Sequence, residues 1–187
     1  NIMPDIINTE LPMDNRRSPG YRRVEPFMSG NKFYLWIGQH ERGRYSKAHA
    51  HGSAAVLICL RGKGYTYTWP RALDMHPWED GFADQVRRQD YEPVGMVTAA
   101  PMTGDWFHQH FSAGASQARY LALRWGSRRY QLSIGDGGDG DFAVSEKEGG
   151  RQIEYEDEDP AILAMFEAVC AENGVEATNP RLAGGGD

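Results

Sequence analysis

Residues Gly43 to Gly64, GRYSKAHAHGSAAVLICLRGKG, set the tightest limit on how this chain folds. His49 and His51 lie one residue apart, and Ala54 to Leu60 is apolar at every position. Side chains alternate faces along a strand, so residues two apart point the same way. Both imidazoles therefore aim at one point, as a bound metal ion requires. The unbroken apolar run predicts a strand buried on both faces, and Lys63-Gly64 supplies turn chemistry before a second β-rich run, Tyr65 to Trp69. The pair alone could equally be two polar residues on a surface strand.

A second cluster changes that balance. Trp106-Phe107-His108-Gln109-His110-Phe111 follows about 60 residues later and again sets two histidines two apart. Four of the six histidines thus sit in two His-x-His pairs, each in a β-rich segment. Strands are expected at 32–39, 46–51, 54–60, 64–69, 94–100, 107–112 and 119–125. His40 ends the first of them and reads as a loop or surface residue, and His76, before a proline, reads as no ligand.

The chain begins with residues 1–30, punctuated by Pro4, Pro12, Pro19 and Pro26, which read as an extended arm over the body or over a neighbouring subunit. Arg16, Arg17, Arg22 and Arg23 lie in it, solvated by expectation, although an arm arginine could reach a pocket and bind a carboxylate. A polar excursion, 70–93, interrupts the strands, with a short helical turn expected at 82–89; its length suits a lid or a subunit contact. The segment DGGDGD at 136–141 reads as a turn rather than a calcium loop. Pro160 opens the one strong helix, Pro160 to Asn173, with Ile162, Leu163, Phe166, Val169 and Cys170 as its apolar stripe and Gly174 as its stop. The expected organisation is an arm at 1–30, a barrel at 31–135 carrying the excursion, and an acidic linker, helix and loose tail at 136–187.

Net charge of −6 and a pI near 5.5 argue against nucleic acid as a partner. No apolar run approaches the ~20 residues of a membrane span, and no N-terminal stretch reads as a signal peptide. Cys59 and Cys170 make no disulfide framework, so a cytoplasmic location is expected.

About seven strands with one terminal helix predict an all-β sandwich or barrel. The residues resemble the cupin superfamily, whose first motif reads G(X)5HxH(X)3–4E(X)6G: Gly43, His49, His51 and Gly62 fall on its spacings, with Ala55 where the glutamate stands. Of the second motif, G(X)5PxG(X)2H(X)3N, Gly95 and Pro101 match the start. Gly104 and His108 fit with a small insertion, and Ser112 replaces the asparagine. The resemblance covers residues 30–126 and implies a cupin double-stranded β-helix (a jelly-roll barrel) with a metal in its mouth. Within the superfamily, HAHGSAAVLICLRGKGYTYTW and WFHQH are similar to gentisate and salicylate ring-cleaving dioxygenases of the three-histidine type.

That resemblance implies His49, His51 and His108 as metal ligands and His110 as either a fourth ligand or an acid/base within reach of substrate. Arg61 or Arg124 could pair with a substrate carboxylate. Tyr65, Tyr67, Trp69, Trp106 and Phe111 are pocket or core aromatics, depending on register. The expected cofactor is Fe(II), with Zn, Mn, Ni and Cu able to fill the same ligands. The expected activity is a mononuclear non-haem dioxygenase cleaving a C–C bond in a small aromatic or diketone-like, anionic and chelating substrate with O2. A redox-neutral metal lyase or isomerase and a non-catalytic ligand-binding cupin are the alternatives. A homodimer is expected from the resemblance.

Overall fold

A computed structural model describes residues 3–15, 17–26, 33–51, 55–100, 106–125 and 143–179. Arg16, Pro101, Gly104, the 136–141 segment and the C-terminal tail from 180 lie outside these residues, and so do the chain-order boundaries at 30 and 135.

Among the described residues ten strands form two five-stranded sheets. The first has the order β1 (Arg22–Val24), β2 (Phe33–His40), β10 (Ala118–Trp125), β5 (Ala55–Arg61), β8 (Met96–Ala100). The second runs β3 (Arg44–Tyr45), β9 (Trp106–Ser112), β6 (Gly64–Pro70), β7 (Arg87–Tyr91), with β4 (His49–Ala50) also paired to β9. All the pairings are antiparallel, and from β4 onward the chain crosses between sheets at every step but β6 to β7. This is the all-β jelly roll of a cupin double-stranded β-helix, with one α-helix among the described residues, α1 (Pro160–Glu172). Gly43, at the entry to β3, has φ of +71°, which an L side chain rarely adopts.

Strand alternation divides the side chains between two cores. Outward from the second sheet point Tyr65, Tyr67, Trp69, Phe107 and Phe111, which pack with Ile162, Phe166 and Cys170 of α1. The barrel interior holds small residues instead, among them Ala55, Ala99, Ala118 and Ala122, with Leu57, Val97 and Tyr120. Alanines in place of bulky aliphatics leave room inside. In β5 only Ala55, Leu57 and Cys59 are buried, while Val56, Ile58 and Leu60 are half-covered, so the all-apolar strand is one-sided after all.

The excursion departs from expectation. It holds 3-10 turns at Arg71–Leu73 and Ala83–Gln85 followed by β7, so the helical turn expected at 82–89 is confined to Ala83–Gln85 and gives way to strand at Arg87. Leu73, Met75, Trp78 and Val86 pack on the core beneath α1. The helix's N-cap carboxylate, Asp159, accepts the N–H groups of Trp78 (2.8 Å) and Glu79 (3.0 Å) as well as that of Ala161 (2.9 Å). The excursion is therefore a buttress on the second sheet's outer face rather than a lid. The arm packs over its own barrel: Arg119 on β10 donates to the carbonyls of Ile6 (3.2 Å), Ile7 (2.5 Å) and Thr9 (2.7 Å). Cys59 and Cys170 are buried free thiols.

Candidate metal centre

Register brings the histidines together. His49 on β4 lies directly across from His108 on β9, and β6 flanks β9 with Thr68 opposite His108 and Thr66 opposite His110. Directly opposed residues on one face stand close enough for side chains to meet. Ring centroids are 4.1 Å apart for His49 and His108, 4.7 Å for His51 and His108, and 5.6 Å for His49 and His51. One nitrogen from each ring lies within 4.8 Å of the others. A common ion with contacts of ~2.1 Å would hold them ~3 Å apart, which small side-chain rotations supply. Among the described residues this is the cluster able to hold a metal ion.

The donor set fits a divalent cation. Burial, reinforced by the Arg17 charge, holds His49 well below the ordinary histidine range; burial and the neighbouring histidines do the same to His108. Both imidazoles are therefore neutral and offer lone pairs. His49 Nδ1–H donates to the Lys47 carbonyl (3.4 Å), which fixes the tautomer and leaves Nε2 as the ligating atom. His108 is 1% exposed. Ala55, where the cupin motif has glutamate, lines the same cavity, so no carboxylate from that position meets the ion.

The cavity has a volume of about 260 Å³. His110 lines it, but its nitrogens fall outside the three-histidine cluster: Nδ1 meets Thr66 Oγ1 at 2.9 Å, and the ring sits 5.6 Å from that of His108. Arg124, facing inward opposite Ala55, lines the cavity too. Arg61 does not. A register shift at the Arg119/Tyr120 end of the β5–β10 ladder turns Arg61 to the outer face, beside Arg119. There its Nη2 donates to Gln39 Oε1 (3.1 Å) and Gln117 Oε1 (3.4 Å). Of the expected aromatics, Tyr65, Tyr67, Trp69 and Phe111 belong to the core under α1, and Trp106 is half-buried with the Arg87 guanidinium 5.1 Å from its ring. His76 lines no part of the cavity.

Sequence reasoning missed several wall residues. His40, expected at the surface, is 1% exposed and lines the cavity, with its pKa pushed down to about 3 by burial, then by His110 and Arg17. Alternation with Trp36 and Gly38 was the available signal for its inward face. Its Nε2 lies 3.3 Å from Tyr120 Oη, itself 3.3 Å from Tyr21 Oη. Gly38 makes space for this pair: a Cβ there would meet Tyr120 Cζ and Tyr21 Oη at 2.7 Å. Arg17 and Arg23, expected in solvent with a pocket position as the alternative, also line the cavity. No periodic pattern in the arm could have placed them.

A jelly roll with inward-facing histidines at its mouth defines the class: a cupin barrel with a three-histidine site able to bind metal. No protein-family model and no curated protein matches the chain. Among solved structures it is similar to a cupin 2 conserved barrel domain protein from Salinispora arenicola (17% identity, 63% of this chain and 82% of that one, TM-score 0.44). It is similar also to one from Rhodopseudomonas palustris (16%, 58% and 62%, TM-score 0.43) and to KdgF from Halomonas sp. (13%, 60% and 85%, TM-score 0.44). The fold assignment stands on the strand order and register above. Among the described residues no helix is long and apolar enough to cross a membrane.

Proposed function

We propose that this chain is a mononuclear non-haem Fe(II) dioxygenase that cleaves a C–C bond in a small, anionic, chelating substrate of aromatic or diketone-like type. The reading is carried by one observation: three buried histidines converge in a cavity where alanine occupies the place of a fourth, carboxylate ligand. His49, His51 and His108 would hold the metal. Ferrous iron bound to three neutral imidazoles supplies open coordination positions for O2 and a bidentate substrate together.

The chain's own residues do the rest. Lys47, through its carbonyl, keeps Nε2 of His49 facing the site. Thr66 holds His110 by Nδ1, which leaves Nε2 as the atom that takes a proton from a substrate hydroxyl or returns it. Arg124 on the cavity wall orients a carboxylate. Alanines and the buried aromatic wall restrict the bound molecule's size and exclude bulk water. The His110 and Tyr120 pair, with ring centroids 5.8 Å apart on the same wall, favours a second reading, a redox-neutral lyase or isomerase on Zn or Mn.

Elemental analysis of freshly purified, unchelated protein, joined to O2 uptake with a panel of hydroxy-carboxylates and β-diketones, tests the proposal. Iron with substrate-dependent O2 consumption supports it, and anaerobic turnover with Zn or Mn favours the second reading. His108→Ala removes stoichiometric metal while His76→Ala keeps it. Full metal content in the His108 variant refutes the ligand set.

A further inference from the structure

We infer that Glu158, which follows the barrel strands in the chain, is a positioning residue for the metal centre: through Gln109 it locks the bulge that sets His49 and His51 in register with His108. The inference deepens the proposed function and rests on it for taking these three histidines as metal ligands.

Tyr45 stands opposite Phe111 and His49 opposite His108, so four steps from β3 to β4 answer three along β9. One extra residue is therefore taken up among Ser46, Lys47 and Ala48, across from Gln109 and His110. Bulges of this kind re-aim the side chains that follow them. Carried on in the register of β3, the strand would set Ala48 opposite His108 and turn His49 and His51 to the outer face, because the side-chain period is two. The three-histidine cluster exists only while this slip is held.

Side chains hold it. The Ser46 N–H donates to the His110 carbonyl (2.9 Å), but the return bond of a regular antiparallel pair is replaced: the His110 N–H goes to Ser46 Oγ (3.0 Å), and the Ser46 carbonyl accepts from Gln109 Nε2 (3.0 Å). Gln109 is 0% and Ser46 1% exposed, so bulk water cannot take over these bonds. Gln109 alternates with His108 and His110, which puts its carboxamide on the outer face of β9. There Nε2 also donates to Glu158 Oε2 (3.0 Å), while Glu158 Oε1 accepts from the hydroxyl of Tyr45, the last residue of β3. Glu158, 2% exposed, thus ties the end of β3 to the middle of β9 across the bulge. The chain leading to it also borders β4: the Ala50 N–H donates to the Arg151 carbonyl and the Ile153 N–H to the Ala48 carbonyl, both at 2.9 Å. Groups that orient metal ligands from outside typically cost about 10–100-fold in metal affinity when removed.

Co(II), titrated into the full chain after chelation, reads the site twice, through its affinity and through the visible d–d absorption that follows ligand geometry. Glu158→Ala weakens Co(II) by about tenfold or more and alters the absorption at saturation. Glu158→Gln, which still accepts from Gln109, stays within about twofold of wild type. Gln109→Met cuts the same link and decides the question if Glu158→Ala does not fold. In metal-free protein, amide hydrogen exchange over residues 46–51 is at least about tenfold faster in Glu158→Ala, with β5 unchanged as the internal reference. A folded Glu158→Ala protein with wild-type Co(II) affinity and absorption overturns the inference, even where its urea midpoint has fallen. So does a Glu158→Gln protein as impaired as Glu158→Ala. Wild type that binds no Co(II), yet shows the Glu158-dependent exchange at 46–51, refutes the three histidines as ligands and leaves the register lock standing.

Discussion

His40→Phe should make the fold markedly less sensitive to acid. His40 is fully enclosed, and burial, His110 and Arg17 together push its pKa from 6.5 down to about 3. The native state therefore refuses a proton that the unfolded chain accepts below pH 6.5. Stability contributed by the neutral ring is complete above 6.5 and is lost as pH falls toward 3. Between pH 7.5 and 5.0 that loss is about 2 kcal/mol for this one residue. Phenylalanine keeps the ring volume and removes the titration, and Tyr120 retains its contact with Tyr21. Urea unfolding of chelated protein at the two pH values gives the comparison. With a slope of ~2 kcal/mol/M, the wild-type midpoint should drop about 1 M further than the variant's. Carboxylates and the other histidines titrate in both proteins and cancel in the double difference. Equal acid sensitivity of the two proteins would mean that the folded chain protonates His40 at pH 5, and the account of a dry, cationic cavity wall would be refuted.

Other expectations follow from the same geometry. Ala55→Glu should retain or tighten Zn(II) binding, read by chelator competition, and suppress O2 uptake by filling an open position; unchanged uptake would show that residue 55 does not face the metal. Gly43→Ala should cost about 2–3 kcal/mol in chemical denaturation. It combines a φ of +71° with a Cβ only 2.0 Å from the Glu176 carbonyl oxygen, so a stability change near zero would refute the packing of residues 174–179 against the β3 entry. Arg61→Gln should leave metal content as in wild type and change stability by about 1 kcal/mol or less. A loss of metal would place Arg61 inside the barrel.

Much of this was legible from residue order because β structure has an integer period. The two His-x-His pairs had to present their rings on one face each, and the jelly roll made those faces meet. The helix was equally readable from Pro160, its apolar stripe and Gly174. Arg61 was not, since a single shift in the β5–β10 ladder reverses its face, and no residue near Leu60 announces it. His40 is hard to read because it closes β2, where a terminal residue suits the surface as well as the inward position after Trp36 and Gly38. Arg17, Tyr21 and Arg23 belong to a segment whose position is set by contacts 99 and 135 residues away, Tyr21 to Tyr120 and Arg17 to Gln152. Local pattern carries no trace of such pairings. The excursion misled for a related reason: Asp159 fastens it to the helix start, a partner 80 positions downstream of Glu79.

Arg17 and Tyr21 of the arm are walls of the chamber, and the bond from Arg17 to Gln152 pins that wall to a segment far along the chain. A barrel trimmed to its strands would keep the imidazoles and lose the wall that Arg17 and Tyr21 supply. Conversely, grafting a different leader of matching length onto the same strands offers a route to new ligand preferences without disturbing the metal-binding rings.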